Sequence, residues 1–99
     1  MNRLRLTATL AERDALRYTP AGVPVVNCLL QYSGEVTEAE TSRQVEFAML
    51  AMGIGQIGQR LERLPLGSLI DCEGFLARKH RNSKALVFHI TGCKAFEKD

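Results

Sequence analysis

An all-β fold is what this 99-residue sequence predicts: a five-stranded barrel with one short helix between its third and fourth strands. Three observations carry that expectation. Apolar and polar residues alternate with period 2 in five separate stretches, the mark of half-buried strands. Helical spacing occurs in a single stretch, residues 54–64. Strands this short leave costly open edges unless the sheet closes on itself.

Residues 3–10, RLRLTATL, set Leu4, Leu6, Ala8 and Leu10 against Arg3, Arg5, Thr7 and Thr9, which makes the first strand. Residues 12–22, ERDALRYTPAG, are charged and close on a Pro/Gly turn signal. The second strand is 23–32, with Val26, Cys28 and Leu30 inward and Pro24 at its start or on an edge, since proline donates nothing to a ladder. Residues 33–46, SGEVTEAETSRQVE, read as an acidic loop. The third strand, 43–52, points Val45, Phe47 and Met49 in and Gln44, Glu46 and Ala48 out. Ile54, Ile57, Leu61 and Leu64 then share one helical face, and Gly55 and Gly58 keep the helix short. Pro65 and Gly67 end it. The fourth strand, 68–79, buries Ile70, Cys72, Gly74 and Leu76, with Gly74 marking a bend or bulge that helps to close the barrel. The fifth, 85–96, buries Leu86, Phe88 and Ile90.

Composition bounds the class. The chain is long enough for one domain, residues 1–99, and its hydrophobic fraction of 45% argues against disorder. No apolar run reaches transmembrane length, and charges interrupt the N-terminus where a secretory signal would be apolar. Cys28, Cys72 and Cys93 are widely spaced among apolar neighbours, which suits reduced core thiols of a cytoplasmic protein. With His80 and His89 they make no metal-ligand spacing. The glycines of GIGQIG, residues 53–58, lack the Lys-Ser/Thr of a phosphate loop. No paired base or nucleophile is recognisable. Neither an enzyme, a metal nor another cofactor is expected.

The formal net charge of +2 hides an uneven distribution. Residues 33–46 carry a local −3, from Glu35, Glu38, Glu40 and Glu46 against Arg43. Residues 78–84, RKHRNSK, carry +4. A concentrated basic edge attracts polyanions at small net charge, although an isolated basic turn can be merely soluble. The element order decides between these readings. Three strands, a helix and two strands is the order of the OB-fold, whose loops after strands 1 and 4 flank the oligonucleotide-binding face of strands 2 and 3. RKHRNSK is the loop after strand 4, and ALRYTPAG the loop after strand 1.

The residues also carry a resemblance over almost the whole chain. The opening NRLRLTATL, the turn RYTPAGVPV, then RQVEF, LGSLIDCEGFLARK and VFHI occur in an order that resembles the bacterial single-stranded DNA-binding protein superfamily, and within it the branch that serves the replication-restart primosome. The resemblance implies a homodimeric OB-fold protein that binds single-stranded DNA and assists a restart helicase and other primosome proteins. It also implies the absence of a long acidic C-terminal tail, and the sequence ends in AFEKD.

In such a protein the basic loop neutralises phosphates. Lys79, Arg81 and Lys84 are the first candidates, with Arg78 at the strand end and His80 as a further donor. Arg17 and Arg43 extend the track. Each contact releases a counterion and steepens the salt dependence by about 0.7. Bases need stacking platforms, worth roughly 1–3 kcal/mol each. Tyr18 is the first candidate and Tyr32 the second, while Phe47, Phe75 and Phe88 read as core or dimer contacts. Glu46, outward on strand 3, repels phosphate, so affinity should be modest and phosphate-dominated. Two alternatives stay open: a protein–protein adaptor using the outward Val25, Leu29, Ala48 and Leu50, and an RNA-binding OB module, because a phosphate track does not read the sugar.

Overall fold

The computed structural model describes residues 1–96, so the EKD that ends the expected short tail lies outside the described residues. The elements follow in the order β1 (Leu4–Arg13), β2 (Arg17–Tyr18), β3 (Pro24–Glu38), β4 (Thr41–Ile54), α1 (Gln56–Arg63), β5 (Leu69–Arg78) and β6 (Leu86–Ala95). The sheet runs β1-β5-β6-β4-β3-β2, and a further β1–β3 pairing closes five of these strands into a barrel. This is the OB-fold order, with β2 added as a two-residue strand. All pairings are antiparallel except β4–β6, where Ala51 faces Phe88 and Gly53 faces Ile90.

Closure depends on two irregularities. β1 serves two neighbours: its first half pairs β5 from Leu4↔Gly74 to Thr9↔Leu69, and its second half pairs β3 from Thr9↔Gln31 to Arg13↔Cys28. A bulge between Leu10 and Glu12 bends it from one to the other. The second irregularity is a register shift between Glu73 and Gly74 on β5. A Cβ on Gly74 would run into the His89 carbonyl oxygen, so only glycine lets β6 approach this closely. The expected bulge at Gly74 is therefore real, and its cause is backbone contact.

The inward phase of every strand meets in one core. Leu10, Leu30, Leu61, Ile70 and Phe88 are fully buried, each worth about 1.5–3 kcal/mol relative to exposure. α1 plugs the barrel through Leu61, with Ile57 and Leu64 partly buried beside it. Gly55, at φ 75°, turns the chain from β4 into the helix. Arg60 and Arg63 complement the dipole in the last turn. Arg13, from the end of β1, donates to the helical carbonyls of Leu61 at 2.9 Å and Leu64 at 2.5 Å, which satisfies two orphan acceptors.

Four expectations need correction. Residues 33–46 do not form a loop. β3 and β4 pair without a break from Val25↔Ile54 to Glu38↔Thr41, making a long ribbon that passes beyond the barrel. Its turn is Ala39–Glu40, with φ of 51° and 64°, the positive values of a type I′ hairpin. These residues are polar on both faces, so no apolar period announces them. Ile54 belongs to β4 and is 49% exposed. Val25 is not outward but 2% exposed, next to the short β2 that pairs it with Arg17. Leu86, the first residue of β6, is 51% exposed, because the core begins at Val87 and Phe88.

Candidate nucleic-acid interface

Two distant segments converge on the outer face of β3 and β4. After Arg13 the Asp14 amide donates to the Asn27 carbonyl at 2.9 Å, and the chain returns as β2 with Arg17↔Val25 and Tyr18↔Pro24. A tight turn holds it there: the Gly22 amide donates to the Thr19 carbonyl at 2.8 Å, with Gly22 at φ 83°. Across the sheet, β5 and β6 carry the basic loop. Between them lies a cleft of about 330 Å³ that Arg17 and Lys79 line together with Asn27, Leu50, Met52 and Val87. Asp14 stands on its rim and Cys28 is part of its floor.

The basic loop has an ordered backbone and free side chains. The Lys79 amide donates to the Ala85 carbonyl at 2.9 Å, and the Ser83 amide to the His80 carbonyl at 3.0 Å, a β-turn at the tip. The Ser83 hydroxyl accepts from the Ala85 amide at 3.0 Å. Arg78, Lys79, His80, Arg81 and Lys84 are all exposed. Among the described residues none of the four cations is ion-paired; the salt bridges join Arg3 to Glu73, Arg5 to Asp71 and Arg43 to Glu38. Four cations without an ion-pair partner, at and around a hydrogen-bonded turn, concentrate positive potential on this edge.

Of the residues singled out in the sequence, Arg17 and Lys79 come together in the cleft, and the rest of RKHRNSK stands beside Lys79. Tyr18, 64% exposed, follows Arg17 on β2. Arg43 is placed elsewhere. It lies on the ribbon eight residues before Ala51, about 27 Å of strand, and Glu38 holds it at 2.5 Å. Tyr32 is turned to the core side, stacked on Phe47 at 5.1 Å. Phe75, which sequence reading assigned to core or dimer contacts, is 39% exposed on the outer face. There it stacks on His89, at 4.9 Å between centroids and 9° between planes. The cleft residues Asn27, Met52 and Asp14 were not singled out. The alternation that buries Val26, Cys28 and Ala51 was the available signal, because it turns Asn27 and Met52 outward.

Burial pushes the Cys28 thiol up to about 11 and the Cys72 thiol up to about 12, and raises Cys93 as well, while Arg60 draws Cys93 the other way. All three are free and buried, so the thiol under the cleft is neutral and not nucleophilic. On the outer face of β1 and β5, the hydrogen bond and charge of Arg5 hold the Asp71 carboxyl below its ordinary value. Among the described residues no group of three or more His, Cys, Asp or Glu could hold a metal, and no helix is long and apolar enough to cross a membrane.

Residues 2–92 match the model of a family described as another single-strand binding protein family. The chain is similar to replication restart protein PriB of Bordetella pertussis, 38% identical over 90 residues, which covers 91% of this chain and 84% of the relative. It is 32% identical over 89 residues to PriB of Nitrosomonas europaea, covering 90% and 82%. Primosomal replication protein N is a synonym of PriB. Among solved structures, PriB from Ralstonia solanacearum superposes with a TM-score of 0.91 at 58% identity, covering 98% of this chain and 99% of that one. The single-stranded DNA binding protein from Thermus aquaticus superposes with a TM-score of 0.76 at 23% identity, covering 98% and 50%, a likeness of fold alone.

Proposed function

The chain belongs to the single-strand binding protein family and, within it, to the replication restart PriB branch, and from that premise we propose that it binds single-stranded DNA as an accessory factor of the restart primosome. In this reading residues 1–99 are one nucleic-acid-binding OB domain that works as a homodimer in the cytoplasm. It assists a restart helicase and catalyses nothing itself. The observation that carries the reading is the shared cleft: Arg17 from β2, beside β3, and Lys79 from the β5–β6 turn, beside β4, line one groove with Asn27, Leu50 and Met52.

The chemistry follows from the lining. Arg17, Lys79, Arg81 and Lys84 pair with phosphates and release their condensed counterions, so binding weakens as salt rises. Arg78 and His80 add donors at the same edge. Asn27 offers both donor and acceptor to a base edge, and Leu50 and Met52 give apolar contact to sugars and bases. Tyr18 supplies an exposed ring beside Arg17. Arg43, already neutralised by Glu38, contributes less.

Fluorescence anisotropy with labelled oligo-dT and a matched duplex, across salt, tests this. Wild type should prefer the single strand, and Lys79→Ala/Arg81→Ala/Lys84→Ala should flatten the log–log salt slope by about 2. Equally poor binding by both would leave the loop a soluble turn. It would favour the protein–protein adaptor reading, for which the exposed Leu50 and Ile54 are the supporting observation. Equal affinity for oligo-U would widen the reading to an RNA-binding module.

A further inference from the structure

We propose that the Phe75–His89 pair is a base-stacking platform, a subsite on β5 and β6 for one nucleobase of the strand whose phosphates lie at Lys79. This rests on the single-strand reading above and adds a place where a base is held outside the β3–β4 face. The two rings are cross-strand partners and lie nearly parallel, 4.9 Å apart at 9°. Phe75 is 39% exposed, more than a side chain placed only for packing needs to be. A groove of about 280 Å³ opens beside them, with Met52, Ile54 and Ile57 as apolar wall.

Continuity decides the occupant. Met52 lines both this groove and the cleft that holds Arg17 and Lys79. Strand alternation along β5 points Phe75 and Ala77 to one face, and Lys79, the next residue after the strand, continues that phase, so the Cα atoms of Phe75 and Lys79 are spaced by about 13 Å of strand rise. A cation at that spacing from an exposed aromatic plane, joined by an apolar floor, matches a chain that alternates phosphate with flat bases. Gly74 makes the arrangement possible, because it lets the His89 backbone close against β5 and brings the imidazole under Phe75.

The chain has no tryptophan, so Phe75→Trp installs a single fluorescent reporter on the platform. Oligo-dT should quench that emission, whereas an abasic oligonucleotide with the same number of phosphates should not. Phe75→Leu should lose about fivefold to a hundredfold in affinity for oligo-dT. It should bind the abasic strand as wild type does, with an unchanged salt slope. If oligo-dT binds the Phe75→Trp variant by anisotropy yet leaves its indole emission unaltered, the platform is wrong and the phosphate track survives. Should neither strand bind wild type, both fall together. A concentration-dependent emission shift without DNA, indifferent to added oligo-dT, would make Phe75 a contact between copies and also overturn the platform.

Discussion

The molecule carries two charged antiparallel hairpins, and they are built on opposite plans. The β3–β4 ribbon bears the local −3; from residue 32 to residue 50 its strands pair only with each other, and beyond Tyr32 and Phe47, which still pack against the core, it has no core under it. Its polar groups are spent on one another. Ser42 donates to Glu35, Ser33 to Glu46 at 3.3 Å, and Arg43 to Glu38 at 2.5 Å. The β5–β6 hairpin bears the +4 and is rooted in the barrel on both sides, by β1 and by β4. None of its four cations is ion-paired among the described residues. A hairpin without a core under it must be held by cross-strand pairs, which consumes its charges. A hairpin anchored by packing can leave its charges free for a ligand.

The glycines break the comparison most sharply. Gly74→Ala drives a methyl into the His89 carbonyl, a backbone atom fixed in the ladder. It should cost about 3 kcal/mol or more, a fall of roughly 12 °C in Tm. Gly34→Ala on the ribbon meets only the phenol end of Tyr32, a side-chain tip and not a backbone atom, and calorimetry should find about 1 kcal/mol lost, well below the Gly74 variant. Equal losses would show the ribbon to be as rigidly anchored as the barrel.

The turn sharpens it at the next scale. Ala39 and Glu40 hold positive φ without glycine, a strain of about 1 kcal/mol or more per residue. Ala39→Asn/Glu40→Gly restores the residues that a type I′ turn prefers and should raise stability by about 1 kcal/mol in urea melts, with DNA affinity unchanged. The smallest effect is electrostatic. Glu46 shares the outward phase of β4 with Leu50 and Met52, so Glu46→Gln should strengthen oligo-dT binding about two- to fivefold at low salt. The gain should vanish at high salt, where exposed charges are screened. A gain that persisted would mean that Glu46 acts through shape.

The sequence showed some elements more clearly than others, for a physical reason. β5, most of β6 and β1 as far as Leu10 carry one apolar face, and their phases and the Gly74 bulge were legible in it. Glu12 and Arg13, which read as part of a charged connection, are claimed for β1 by their ladder with β3. The ribbon was not: between residues 33 and 44 neither face is apolar, so period 2 leaves no trace and the segment reads as a loop. Ile54 fits a helical face by spacing, yet the ladder with Val25 claims it for β4. Val25 follows neither phase of the alternation: it is 2% exposed although its neighbour Val26 is buried too, and it sits in the ladder between Arg17 of β2 and Ile54 of β4.

By itself, then, the sequence determined the barrel, the place of its helix and the position of the basic turn between the last two strands, because local alternation and charge are properties of neighbours along the chain. Only the tertiary structure decided which cations share a cleft. Arg17 and Lys79 are 62 residues apart and meet because closure puts β2 and β5 on either side of the β3–β4 face. It alone set Phe75 against His89, since that contact needs the bulge at Gly74 to fix the register of two strands, and no short window of residues contains it.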